Sequence, residues 1–281
     1  MIQFNPTTED NPNIDSENPE SMQPIVFMSK GEKLIGTFFK ASGKEKKPTV
    51  ILLHGFPGNE NNFDIAHAIK RFGFNVVVFH YRGSWGSSGD FSISNSLEDL
   101  SSAIEFLSQE DISTKFSIDT NNIILIGHSM GGFLAFLASI ENPRIKNIAS
   151  LAGFNFGFFS NYLIHNPQFL DATMDGLSNG SMLLQGASGE KIYNEMLANK
   201  DNWNLLNHLP ELNEKNILLI GAEFDYVAPL ELHHQPLVEG LKKVGVKLKN
   251  EIYKSGHSFS STRIKLTTEI IDWLSNLKLN S

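Results

Sequence analysis

The stretch Gly127-His128-Ser129-Met130-Gly131-Gly132 directly follows an apolar run at residues 123–126 and precedes a second apolar run with helical spacing. It contains the pattern Gly-x-Ser-x-Gly, which is typical of a serine at a tight turn between a strand and a helix. Such a serine has a strained backbone, so its neighbours must be small, and Gly127 and Gly131 meet that need. The N-terminus of the following helix offers unpaired N–H groups to a developing oxyanion. We therefore predict that Ser129 is a nucleophile.

A serine nucleophile needs a base, and the base needs an acid that orients it. In chains with this turn, the acid and then the histidine follow the serine, each in a loop after a strand. Asp225 follows one apolar run in this way, and His257 follows a later one beside a glycine. We predict that His257 is the base and Asp225 the acid. Glu223 is the alternative acid, but Asp225 is favoured because a hydrophobic pair and Pro229 follow it.

A second loop, His54-Gly55-Phe56-Pro57-Gly58, follows another apolar run. A serine nucleophile of this kind uses two backbone N–H donors for the oxyanion, one from the residue after the serine and one from such a loop. These donors are predicted to be the amides of Met130 and Phe56, since Pro57 has no N–H group. His54 is favoured as a residue that braces the loop, with a catalytic role as the alternative.

The rest of the chain alternates between short β-branched apolar runs and segments with helical spacing. This alternation predicts an α/β protein with a mostly parallel sheet covered by helices on both faces. Residues 1–24 are polar and are predicted to form a flexible arm. Residues 25–152 and 213–281 are predicted to form the core. Residues 153–212 show no clear strand pattern and are predicted to form an inserted, largely helical cap.

Together, the two glycine-rich loops, the Asp225 loop and Gly256-His257 resemble the α/β-hydrolase superfamily in residue type, order and spacing, from about residue 25 to the end of the chain. The resemblance implies an eight-stranded sheet and a Ser-Asp-His triad. The serine separates the chain from the haloalkane dehalogenase and epoxide hydrolase branches, which use aspartate. The segment Tyr81-Arg-Gly-Ser-Trp-Gly-Ser-Ser-Gly89 is similar to a loop of cinnamoyl esterases and prolyl oligopeptidase-like domains, which are serine esterases and peptidases.

The expected function is that of a serine hydrolase, similar to carboxylesterases, that cleaves a small carboxylic ester, with an amide or thioester also open. Candidate substrate-contacting residues are His128, Arg82, Phe154 and Phe158. For Arg82 the favoured role is to brace its own loop. For the phenylalanines the alternative is packing of the cap on the core. Two other functions stay open: a non-catalytic small-molecule-binding protein, and an acyltransferase or perhydrolase.

Composition limits the partners and cofactors. The net charge of −8 argues against nucleic acid, and no stretch approaches the roughly 18 apolar residues of a membrane span. The first residues lack the pattern of a signal peptide, which favours a cytoplasmic location. The expected reaction needs no metal or organic cofactor, and His233 and His234 are adjacent on a predicted helix, which is a poor arrangement for chelation. The sequence leaves a homodimer open.

Overall fold

The computed structural model describes residues 4–13 and 15–279, and within them a single sheet contains eight strands. The strands are β1 (Ser21–Ser29), β2 (Glu32–Lys40), β3 (Lys47–Leu53), β4 (Asn75–Phe79), β5 (Ile118–His128), β6 (Asn147–Leu151), β7 (Asn216–Ala222) and β8 (Lys247–Tyr253). Across the sheet they are ordered β1-β2-β4-β3-β5-β6-β7-β8. The β1–β2 and β2–β4 pairs are antiparallel, and all the other neighbouring pairs are parallel. This confirms the predicted, mostly parallel sheet.

Helices cover both faces of the sheet. They are α1 (Phe63–Phe72), α2 (Ile93–Ser108), α3 (Glu110–Phe116), α4 (Met130–Glu141), α5 (Phe156–His165), α6 (Leu170–Ser181), α7 (Gly189–Ala198), α8 (Gln235–Lys243) and α9 (Arg263–Ser275). The helices α1 and α9 pack on one face, while α2, α4 and α8 pack on the other. Helix α3 was not predicted from the sequence, because it buries only Ser113 and Phe116 and so has little amphipathic pattern.

The central strands are buried on both sides. In β3, Val50 and Leu52 belong to the apolar cluster under α1 and α9, whereas Ile51 and Leu53 belong to the cluster under α2 and α4. A strand covered by helices on both faces has a continuous apolar sequence rather than an alternating one. The sequence shows such continuous apolar runs. Because the strands β3 to β8 are parallel, their carboxyl ends all lie at one edge of the sheet.

The N-terminal part of the chain contacts the core at several points. Strand β1 begins at Ser21, before the start predicted at residue 25, and contains Pro24, which an edge strand tolerates. Upstream of it, the Nε of Arg71 donates a hydrogen bond to the carbonyl of Pro6 at 2.8 Å. The division of the chain at residue 24 stays a prediction.

Between β6 and β7 the structure has the helices α5, α6 and α7 and no strand over residues 153–212, all of which it describes. The segment is fixed to the core by polar contacts. The carboxylate of Glu195 on α7 accepts hydrogen bonds from the amides of Ile93 and Ser94 at 2.9 and 2.8 Å, at the N-terminus of α2. A carboxylate is favoured there by the helix dipole. These contacts anchor α7 to the N-terminus of α2, and the division of the chain at residues 153 and 212 stays a prediction.

Candidate functional site

The nucleophile turn, residues 127–131, joins β5 to α4. Ser129 has φ 55° and ψ −118°, a conformation that L-residues rarely adopt. A Cβ atom added to Gly127 would lie 2.0 Å from the carbonyl oxygen of Gly131, and one added to Gly131 would lie 2.4 Å from the carbonyl oxygen of Leu53. Only glycine fits at either position, so the turn holds its serine through close backbone packing.

His257 and Asp225 meet at the same sheet edge. The Nδ1 of His257 donates a hydrogen bond to Oδ2 of Asp225 at 2.7 Å. The other oxygen, Oδ1, accepts hydrogen bonds from the amides of Val227 and Ala228, both at 2.8 Å. Burial alone would raise the pKa of Asp225, but the hydrogen bonds and the contact with His257 outweigh it and lower that pKa below its ordinary value. Glu223 is exposed to solvent.

The loop of residues 54–62, termed the oxyanion loop below after its predicted role, lies against Ser129. A Cβ atom added to Gly55 would lie 2.9 Å from Cβ of Ser129 and 3.5 Å from its Oγ. Among the described residues, neither the amide of Phe56 nor that of Met130 donates to a main-chain carbonyl. Both predicted donors therefore keep an N–H group next to the serine that no main-chain carbonyl occupies.

His54 is buried at the start of the oxyanion loop. Its Nδ1 donates to the carbonyl of Gly55 at 2.9 Å, and its own carbonyl accepts a hydrogen bond from the hydroxyl of Tyr81 at 3.2 Å. Burial lowers the pKa of His54 to about 3, so the ring is neutral near pH 7. These contacts agree with the bracing role favoured from the sequence.

His128, a candidate for substrate contact, is buried against His257. Its Nε2 donates to the carbonyl of His257 at 2.9 Å, and the two ring centroids are 4.8 Å apart. Burial lowers the pKa of His128 to about 4, which keeps the ring neutral near pH 7. The structure thus brings His128 to the site as a support for the main chain of His257.

Arg82, the second candidate for substrate contact, is buried with its guanidinium on α2. Its Nε donates to Asp99 at 2.6 Å, and Nη2 donates to Glu98 at 2.6 Å and to the carbonyl of Asn95 at 2.9 Å. Its amide also donates to Asp99 at 2.7 Å. Because its amide, Nε and Nη2 all donate to residues of α2, these contacts agree with the bracing role favoured from the sequence.

The two phenylalanines predicted to contact substrate have different main-chain partners. The amide of Phe154 donates to the carbonyl of Ser129 at 3.3 Å, so Phe154 lies beside the turn. Phe158 is half-buried in the first turn of α5, where its amide donates to the side chain of Asn155 at 3.3 Å. A role for either ring in substrate binding stays a prediction.

One buried residue next to the site was considered from the sequence only as a metal ligand. His233 packs its ring on that of Phe154, with centroids 4.1 Å apart, and its Nδ1 accepts a hydrogen bond from the amide of Asn155 at 3.0 Å. Burial lowers its pKa to about 3. The adjacent His234 points elsewhere, with Nε2 2.7 Å from Oδ1 of Asn250. Two adjacent histidines in a sequence do not show whether either of them packs in the core or binds a ligand. The sequence analysis therefore did not predict that His233 lies next to the site.

Two further properties concern metals and membranes. The described part of the chain has no group of three or more histidine, cysteine, aspartate or glutamate side chains that could bind a metal ion. None of the helices described is both long enough and apolar enough to cross a bilayer.

Comparisons with known proteins agree with this geometry. The sequence model of a family described as the alpha/beta hydrolase fold matches residues 48–181, which contain the oxyanion loop and the nucleophile turn. An uncharacterised 31.7 kDa protein from the traX-finO intergenic region of Escherichia coli is 34% identical over 123 residues, which are 42% of this chain and 41% of that protein. The chain thus spans well under two thirds of that relative's length.

Solved structures with the same fold match nearly the whole chain. The acylaminoacyl peptidase of Pyrococcus horikoshii superposes with a TM-score of 0.69 and 21% identity, over 93% of this chain and 43% of that one. An esterase of Pyrococcus furiosus superposes with a TM-score of 0.65 and 18% identity, over 91% of each chain. At these identities the likeness establishes the fold.

Proposed function

We propose that this chain, which has the α/β-hydrolase fold, is a serine hydrolase that cleaves a small carboxylic ester through an acyl-enzyme on Ser129. The observation that carries the proposal is the convergence of three loops. Ser129 has its strained conformation at the end of β5, the His257–Asp225 pair is closed at 2.7 Å, and the oxyanion loop lies against the serine. A protein that only binds a ligand has no need for this combination.

In the proposed reaction, Oγ of Ser129 attacks the carbonyl carbon of the ester while Nε2 of His257 accepts the hydroxyl proton. The amides of Phe56 and Met130 donate hydrogen bonds to the tetrahedral oxyanion. His257 then returns the proton to the leaving alcohol as the ester C–O bond breaks. Water, deprotonated by His257, attacks the acyl-enzyme, and the carboxylic acid leaves with Ser129 restored.

The role of Asp225 follows from its environment. The hydrogen bond from Nδ1 fixes the His257 tautomer that leaves Nε2 free to accept a proton from Ser129. The lowered pKa of Asp225 keeps the carboxylate charged, and that charge stabilises the imidazolium that forms during attack. A small ester is the favoured substrate because its alkoxide leaves more easily than an amine, although the same groups could act on amides or thioesters.

The names of the structural neighbours are consistent with this proposal. One is an esterase and the other an acylaminoacyl peptidase, and both names describe cleavage of an acyl bond.

The first test is labelling with a fluorophosphonate probe, which reacts only with activated serines. We expect one adduct per chain, mapped by mass spectrometry to Ser129, with labelling lost in Ser129→Ala and strongly slowed in His257→Ala. Ser101→Ala is the matched control, because Ser101 lies on α2 and donates to the carbonyl of Leu97 within that helix. Unlabelled wild-type protein should hydrolyse a p-nitrophenyl ester, and the labelled protein should not, because the adduct blocks the Ser129 hydroxyl. A folded wild-type protein that takes up no probe would refute the proposal.

A further inference from the structure

We propose that Arg263 is a positioning residue that holds the base loop, residues 254–262, against the oxyanion loop. The inference rests on the proposed function, since it assigns Arg263 a part in aligning the base with the oxyanion donor. Arg263 is the first residue of α9 and directly follows the base loop, which contains His257. Nothing in the sequence marked it, because a basic residue near a helix start is usually a solvated surface group.

The guanidinium of Arg263 forms hydrogen bonds with two chain segments that are distant in sequence. Its Nη1 donates to the carbonyl of Ser258, the residue after His257, at 3.2 Å. Its Nη2 donates to Oδ1 of Asn62 at 2.9 Å. The same group also binds Asp64 with both Nε and Nη2, at 2.8 and 2.5 Å. One planar group thus links the base loop to the start of α1.

Asn62 makes this link relevant to the reaction. It is the last residue of the oxyanion loop, it is buried, and it has a left-handed conformation with φ 56°. Its carbonyl accepts the hydrogen bond from Ala66 that starts α1. Fixing the side chain of Asn62 therefore orients the end of the loop that carries Phe56 and that places Gly55 against Ser129.

The energetics favour positioning over stabilisation. The Asp64 side chain is 48% exposed, so its ion pair with Arg263 contributes little to the free energy of unfolding. In contrast, a small displacement of a catalytic group lowers the rate strongly, up to about a hundredfold for 1 Å. Arginine holds its donors on three nitrogens in a rigid planar fork, whereas the three donors of lysine all lie on one flexible ammonium nitrogen.

Arg263 and His128 support the base loop at adjacent carbonyls. His128 donates to the carbonyl of His257 and Arg263 donates to that of Ser258. His128 comes from the nucleophile turn, and Arg263 connects to the oxyanion loop. The base is therefore tied separately to each of its two reaction partners.

The test compares Arg263→Ala and Arg263→Lys with the wild type in three measurements: the rate of fluorophosphonate labelling, kcat and KM for a p-nitrophenyl ester, and Tm. We expect Arg263→Ala to lower the labelling rate and kcat by about tenfold or more, with little change in KM or Tm. Arg263→Lys should stay impaired, because charge alone does not restore the fork. Millimolar guanidinium ion should recover part of the labelling rate of Arg263→Ala.

The matched control is Arg71→Ala, since Arg71 lies on α1 and its Nε binds the carbonyl of Pro6. Its labelling rate should equal that of the wild type. An Arg263→Ala protein that labels like the wild type overturns the inference, as does full recovery of kcat in Arg263→Lys. If Arg263→Ala does not fold, the labelling rate and kcat of Arg263→Lys test the inference instead. A wild-type protein that does not label refutes the proposed function itself, which is a distinguishable result.

Discussion

The nucleophile turn and the base loop are positioned in different ways. The turn is fixed by backbone packing among neighbours, where glycine leaves no room for another residue and Ser129 adopts a strained conformation. The base loop is fixed by side chains from distant elements: Asp225 after β7, His128 at the end of β5 and Arg263 on α9. The comparison indicates that the geometry at Ser129 depends on one short stretch of sequence, while the geometry at His257 depends on the assembled fold.

The largest expected effect comes from breaking the backbone packing of the turn. In Gly127→Ala the new Cβ would lie 2.0 Å from the carbonyl oxygen of Gly131, so the main chain must shift. We expect the free energy of unfolding to fall by about 3 kcal/mol and fluorophosphonate labelling to disappear. Urea denaturation measures the free energy of unfolding, and probe incorporation into the folded fraction measures the labelling.

A second glycine-to-alanine change serves as the control. Gly176 lies within α6, and a Cβ atom added there would have no neighbour within 4 Å. Gly176→Ala should keep full labelling and stabilise the protein by up to about 1 kcal/mol through helix propensity. If Gly127→Ala behaved like this control, backbone packing would not be what positions Ser129.

Breaking the side-chain support of the base should spare the fold and reduce the rate. In Asp225→Asn the amide no longer supplies the charge that stabilises the imidazolium, and it can hold the wrong tautomer of His257. We expect kcat to fall by about 10⁴ with a much smaller change in Tm. Ester hydrolysis under single-turnover conditions gives the rate.

The neighbouring carboxylate provides the control for this change. Glu223 is exposed, and the ring of His257 contacts Asp225. Glu223→Gln should therefore hydrolyse the ester at the wild-type rate. If Glu223→Gln lost most of its rate of ester hydrolysis and Asp225→Asn kept it, Glu223 and not Asp225 would be the acid.

The contrast between local backbone packing in the turn and distant side-chain contacts in the base loop explains which features the sequence could predict. The turn, the order of Ser129, Asp225 and His257, and the parallel sheet were predictable because each depends on a local pattern of apolar runs and glycines. The contacts of His128 and Arg82 were not predictable, since their partners, the carbonyl of His257 and the carboxylate of Asp99, are brought near only by folding. Arg263 had no sequence signal for the same reason.

The smallest expected effect concerns the residue where the two regions meet. His128 belongs to the nucleophile turn and supports the base loop, and burial lowers its pKa to about 4. A histidine in the unfolded chain has a pKa near 6.5. Between about pH 6.5 and pH 4, position 128 is therefore protonated in the unfolded chain and neutral in the folded one. The stability due to neutral His128 is therefore complete above about pH 6.5 and is lost as the pH falls toward 4.

Urea denaturation at pH 7 and pH 5 tests this dependence. The wild type should lose about 1 to 2 kcal/mol more of its unfolding free energy between these pH values than His128→Gln, which has no titrating group at this position. His165 is exposed on α5, so His165→Gln should keep the wild-type dependence. Equal pH dependence in the His128 and His165 variants would mean that His128 does not stay neutral in the fold. At pH 5 the ring of His128 would then be charged. That charge, next to His257, would disfavour the imidazolium that forms on His257 during the reaction.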